Sequence, residues 1–189
     1  SNVLYSMDDV SVFGPVMHTY SFAAAIGDRM LTDYQVIVIG VDDEEIFEMI
    51  DSRSLLDVDG TITDARELAA HIALAKAMEK YDLKKVISYH SRITRASSFA
   101  NQHSSVLKAM GGGGFKTKEV WTSWITGNHS TFRRQKQIRH LETLEDEQRG
   151  ILSNARCLTE GIDVPSLDGI AFVDRRNSTV DIVQAVGRA

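Results

Sequence analysis

Five residues near the carboxyl end combine types that suit a phosphate ester: Gly161, Asp163, Gln184, Gly187 and Arg188. A glycine lets backbone amides come close, a carboxylate accepts from sugar hydroxyls, and an amide beside a guanidinium donates to phosphate oxygens. Gln184 and Arg188 are four positions apart, so on a helix they share one face. Two short apolar runs, 149–153 and 169–173, each lead into a polar loop at their C-terminal end. In an open parallel α/β sheet that edge is where ligands bind.

Glu160-Gly161-Ile162-Asp163-Val164-Pro165 resembles motif V of superfamily-two helicases, and Gln184-x-x-Gly187-Arg188 resembles the start of their motif VI. The two patterns stand in the family's order and about twenty residues apart, and together they are far more specific than either alone. The likeness is greatest to the branch holding DEAD/DEAH-type helicases and type III restriction subunits. It implies an ATP site shared between two lobes, with Gly161, Asp163, Gln184, Gly187 and Arg188 on this side. Gln184 and Arg188 would be the catalytic pair, Arg188 stabilising γ-phosphate charge as arginine fingers do. ATP and Mg2+ would be held mainly by the other lobe, and no metal ligands are expected here.

The same resemblance implies a nucleic-acid grip. Ser88, His90 and Arg92 fall at motif IV, at the end of an expected strand over 84–89. Gly127-x-x-Ser130-x-x-Arg133, with Thr126 before it, resembles the following segment, where a helix N-terminus meets a phosphate. Asn154, Arg156 and Thr159 would lie on the nucleic-acid side of the motif V loop; the Thr that the family often has six residues before the Gly is replaced by Ala155. Independently of family, Ser130 can cap a helix over about 131–147. Its first half carries Arg133, Arg134, Lys136 and Arg139, and its second half Glu142, Glu145, Asp146 and Glu147. That order opposes the macrodipole, so stability does not explain it; an anionic backbone at the helix start does, and an ordinary solvated face is the alternative.

The elements that must position these groups follow from patterning. Strands are expected near 35–41, 84–89, 119–125, 149–153 and 169–173, with an edge piece near 16–20. Ser21 begins a helix to about Gly27, and 63–80 forms a helix on a Leu68, Ile72, Ala75, Met78 stripe. A helix from Arg92 to Met110 follows, with Ser91 as a candidate cap, and Ser178-x-x-Asp181 opens the last helix as a capping box. The acids 42–45 better suit the N-terminus of a helix over about 43–50 than a magnesium site, because no phosphate loop precedes them. Gly111 to Gly114 is a flexible connection rather than a phosphate loop: Phe115, not Gly, precedes Lys116, and the tract follows a helix.

At 189 residues, 43% hydrophobic and 25% charged, the chain suits one globular α/β domain. The expected fold is a RecA-like three-layer domain with a mainly parallel sheet, a P-loop NTPase-like helicase C-terminal lobe spanning 35–189, with 1–34 as inter-lobe linker and lead-in. The motif VI pattern continues with a second Arg beyond Ala189, so the sequence is expected to be a piece cut within that motif, inactive as an ATPase alone and carrying no bound cofactor. A single cysteine, Cys157, excludes a disulfide framework and points to the cytoplasm, and no apolar run is long enough for a bilayer. The net charge of -5 confines any nucleic-acid contact to a local groove. Expected partners are DNA or RNA, an N-terminal helicase lobe, and, in a restriction system, a nuclease or modification subunit. The alternative is a doubly wound nucleotide- or partner-binding module without motor activity.

Overall fold

The structure, a computed structural model, describes residues 9–31, 33–41, 44, 65–109, 120–155 and 167–174. Apart from Glu44, which is helical, the expected helix over 43–50 lies outside these residues, as do the glycine tract, most of the motif V loop and the capping-box helix at 178–181. The chain divides into two compact units, Ser1–Val36 and Ile37–Ala189.

In the first unit, α1 (Val10–Phe13) is capped by Asp9, whose carboxylate accepts from the Ser11 N–H at 3.0 Å. Helix α2 (Phe22–Gly27) starts where expected, the Ser21 hydroxyl accepting from the Ala24 N–H at 3.2 Å. The edge strand expected near 16–20 is absent: these residues are irregular and exposed. The run over 35–41 is likewise no strand. Val36 and Val38 are 75% and 92% exposed, and no described segment pairs with them. Apolar β-formers alone do not make a strand, because the ladder needs a neighbour.

The second unit holds α3 (Ala65–Lys80), β1 (Lys85–His90), α4 (Ile93–Ala109), β2 (Val120–Thr126), α5 (Thr131–Glu142), β3 (Arg149–Ala155) and β4 (Gly169–Phe172). Among the described residues every strand pair is parallel, in the order β2-β3-β1-β4. Parallel neighbours require crossovers, and the helices supply them on both faces. On one face Val86 and Ile151 pack with Leu74 and Met78 of α3 and Phe99 of α4. On the other Ile87, Tyr89, Ile125 and Leu152 pack with Ile138 and Leu141 of α5 and with Leu144 just beyond it. These are the three layers the patterning predicts, and burial on both faces explains why the strands read as near-continuous apolar runs.

Helix α3 buries Leu68, Ile72, Ala75 and Met78 as its stripe requires. Helix α5 is shorter than expected. Thr143 is its C-cap, with both its N–H and its hydroxyl donating to the Arg139 carbonyl at 3.0 and 2.9 Å, and Glu145, Asp146 and Glu147 fall in the turn before β3. Those acids therefore oppose no macrodipole; Arg133 and Arg134 at the start of α5 and Glu142 at its end still do, while Arg139 in the last turn suits it.

Candidate nucleic-acid interface

The register aligns the four strand ends. His90 of β1 and Thr126 of β2 both stand opposite Ala155 of β3, and Tyr89 stands opposite Phe172 of β4. The segments leaving that C-terminal rim carry Arg92, the 126–133 loop and helix start, the 156–165 loop and the stretch beyond Asp174. One sheet edge thus gathers the departure points of every segment the sequence marked.

The best-defined part follows β2. The Ser130 hydroxyl accepts from the Arg133 N–H at 3.3 Å, and the Ser130 carbonyl from the Arg134 N–H at 3.0 Å, which fixes the start of α5. Gly127, Ser130 and Arg133 are exposed there. The Arg133 guanidinium lies over the Trp124 ring, 5.6 Å from its centroid, and His129 leans on the same indole at 4.5 Å. The indole restrains Arg133 without neutralising it, so its donors stay available to an anion. Burial and the neighbouring charges of Arg133 and Arg134 hold the His129 imidazole below its ordinary proton affinity, so near neutral pH it stays uncharged. Phe132 is 79% exposed beside these residues.

Two expectations need correcting. Ser88 and His90 do not face a nucleic-acid backbone: both are fully buried on the α3–α4 face. The Ser88 hydroxyl is 3.0 Å from His90 Nε2 and 3.0 Å from the Ser153 hydroxyl. Strand alternation is the cause, because every second residue of a central parallel strand points into a helical layer. Thr126 and Asn154 are also buried, and Thr126 serves its own turn, its carbonyl accepting from the His129 N–H at 3.0 Å. Arg92 is exposed past β1. Arg156, Thr159, Gly161, Asp163, Gln184, Gly187 and Arg188 lie outside the described residues.

The sequence reading passed over two groups that the structure brings forward. Trp124 lies in the strand expected near 119–125 and supports Arg133. Asp174 opens the polar loop expected after 169–173; it is buried and takes bonds from Ser91 and Arg95. A carboxylate immediately after a strand was the available signal for the second; nothing in the sequence marked the first.

Among the described residues no group of three or more His, Cys, Asp or Glu side chains is arranged to hold a metal ion, and no helix is long and apolar enough to cross a membrane. A search of individually curated proteins returns no match. The profile of the helicase conserved C-terminal domain matches residues 70–189, which takes in the whole sheet described above. With an all-parallel α/β sheet and a profile match across most of its length, the chain belongs to the helicase conserved C-terminal domain family.

Proposed function

We propose that this chain is the second lobe of an ATP-dependent helicase or translocase, closing over ATP bound mainly by an N-terminal lobe and gripping a DNA or RNA backbone. The observation that carries this reading is the rim itself. The motif V segment leaves β3 at Ala155 and the motif VI segment leaves β4 past Asp174, on the edge where Arg92 and the capped start of α5 also emerge. Asp163 would meet the ribose or a neighbouring partner, with Gly161 allowing close backbone approach, and Gln184 and Arg188 would donate toward the triphosphate. Bound ATP supplies the phosphoanhydride whose cleavage drives the lobes apart. The nucleic-acid grip falls to Arg92, Gly127, Ser130 and Arg133, with Arg156 and Thr159 from the next loop. Ser88, His90, Thr126 and Asn154 shape the rim from beneath.

The test is Arg133→Ala with Arg134→Ala in the intact protein, with nucleic-acid affinity measured across a salt series. Each lost phosphate contact should weaken binding at every sequence and flatten the log–log salt slope by about one. Unchanged affinity and slope would remove α5 from the groove. Arg188→Ala should lower ATP turnover by roughly a thousandfold or more, and the chain alone should hydrolyse none.

A further inference from the structure

Asp174 gathers more bonds than a loop residue needs. One carboxylate oxygen accepts from both the N–H and the hydroxyl of Ser91, at 2.7 and 2.8 Å, and the other pairs with Arg95 Nη1 at 3.0 Å. The side chain is 8% exposed and that of Arg95 29%. The backbone reinforces the link, the N–H groups of Val173 and Asp174 both directed at the Tyr89 carbonyl at 3.2 and 3.5 Å. Burial alone would raise this carboxyl's pKa; the two Ser91 bonds, Arg95 and nearby His90 outweigh it and hold the group ionised.

The position gives the cluster its meaning. Ser91 directly precedes Arg92, and Asp174 directly precedes the stretch that carries Gln184 and Arg188. Residues 83 positions apart are thus joined through one mostly buried carboxylate. The N-terminus of α4 has no acid in its own first turn and receives its compensating negative charge from Asp174, just past β4. A fixed three-donor cluster is stiff, because moving either segment breaks charge-assisted bonds in a partly desolvated setting.

We propose that Asp174 is a positioning residue that couples the nucleic-acid side of the rim to its nucleotide side, by tying the β1–α4 junction to the start of the motif VI segment. This rests on the function proposed above. When Arg92 is drawn toward a backbone phosphate, Ser91 moves with it, and the carboxylate carries that displacement to Asp174 just past β4, from which the chain runs on in sequence to Gln184 and Arg188. Coupling of this kind is a ratio of affinities, and it is reciprocal.

The experiment uses the intact protein and a fluorescein-labelled single-stranded oligonucleotide, as DNA and as RNA. Affinity is measured with and without adenylyl-imidodiphosphate, and the ratio of the two Kd values is the coupling. Allosteric couplings commonly lie between about 5-fold and 150-fold. Asp174→Asn should bring the ratio close to 1. Arg95→Met, which removes the charge but keeps much of the stem, should lower it part of the way, and Arg95→Lys should restore most of it. If Asp174→Asn does not fold, the Arg95 pair decides alone. A role in stability only would shift both Kd values together with the melting midpoint and leave the ratio intact, and that result overturns the proposal. A wild-type protein that binds the oligonucleotide with no nucleotide dependence also overturns it, while leaving the nucleic-acid grip standing. A wild type that binds neither ligand sinks the functional reading and the coupling with it.

Discussion

His71 of α3 and His103 of α4 face each other through their Nδ1 atoms at 2.8 Å, fully buried between the helical layer and the sheet. One ring must donate and the other accept, so the pair is neutral and each ring holds a different tautomer. Phe99 stacks on His71 at 4.0 Å and on His103 at 5.4 Å, and His90 of β1 tilts against the same phenyl at 5.0 Å.

This pair makes the fold acid-sensitive. Burial, helped by the charges of His103 and His90, pushes the His71 imidazole down to about 2, and burial pushes His103 down to about 4. Unfolded histidines take up a proton near pH 6.5. Between about pH 6.5 and 4 the unfolded chain therefore binds more protons at both sites, and stability falls as pH falls. Below that window His71 alone continues the loss. At about 1.4 kcal/mol per pH unit per histidine, the two together should cost about 3 kcal/mol by pH 5.5. Urea midpoints at pH 7.5 and 5.5, read from tryptophan fluorescence, check this. An equal pH slope in His71→Leu/His103→Leu would assign the acid loss elsewhere.

The two rings should also show non-additive energetics. His103→Leu alone strands the Nδ1 of His71 in a dry layer, a cost of about 1–3 kcal/mol. The double variant removes both ends of the bond and should cost less than the sum of the single variants. Four unfolding curves measure the difference, and strict additivity would argue against a shared proton.

Gly150 is the second residue of β3, packed under the end of α5 and the turn that follows it. A Cβ there would press into Leu144 Cδ1, come 2.8 Å from Leu141 Cδ1 and 3.2 Å from Trp121 Cε3. Leucine ends can rotate, but both of these are buried and the indole closes the third side. Gly150→Ala should cost about 1–3 kcal/mol by overpacking. A melting midpoint unchanged from wild type would show that the layer yields.

Arg149 and Asp82 make an ion pair at 2.8 Å, but the two partners should not matter equally. Asp82 is exposed and holds a positive φ of 50°, which asparagine also tolerates. Asp82→Asn therefore loses only a surface pair and should change stability by less than about 1 kcal/mol. Arg149 also donates to the Met78 carbonyl in the last turn of α3, so Arg149→Met should cost more. Thermal melts of the two variants would contradict this if Asp82→Asn proved the more harmful.

Much of the lobe was legible because its parallel strands are short runs rich in apolar and β-forming residues bounded by polar loops. The runs near 84–89, 119–125, 149–153 and 169–173 became β1 to β4 with ends shifted by a residue or two. The Ser21 and Ser130 caps were equally legible, since a cap is a local hydrogen bond. The run over 35–41 misled for the opposite reason: its composition is that of a strand, and composition cannot supply a ladder partner. Helix α5 ended early, at a Thr143 C-cap followed by a turn, because the run of charged residues over 142–147 fixes no helix boundary by periodicity alone.

By itself the sequence determined that a parallel α/β lobe forms and that phosphate-seeking residue types follow its strands, because patterning and motif spacing are properties of the chain alone. Tertiary structure decided which of those residues meet solvent. Ser88 and His90 turn inward, and Arg133 rests on Trp124. Asp174 binds Ser91 and Arg95, across 83 positions in the first case. Which face a strand residue takes, and which distant carboxylate it meets, depends on the layers packed around it, and those exist only once the sheet has closed.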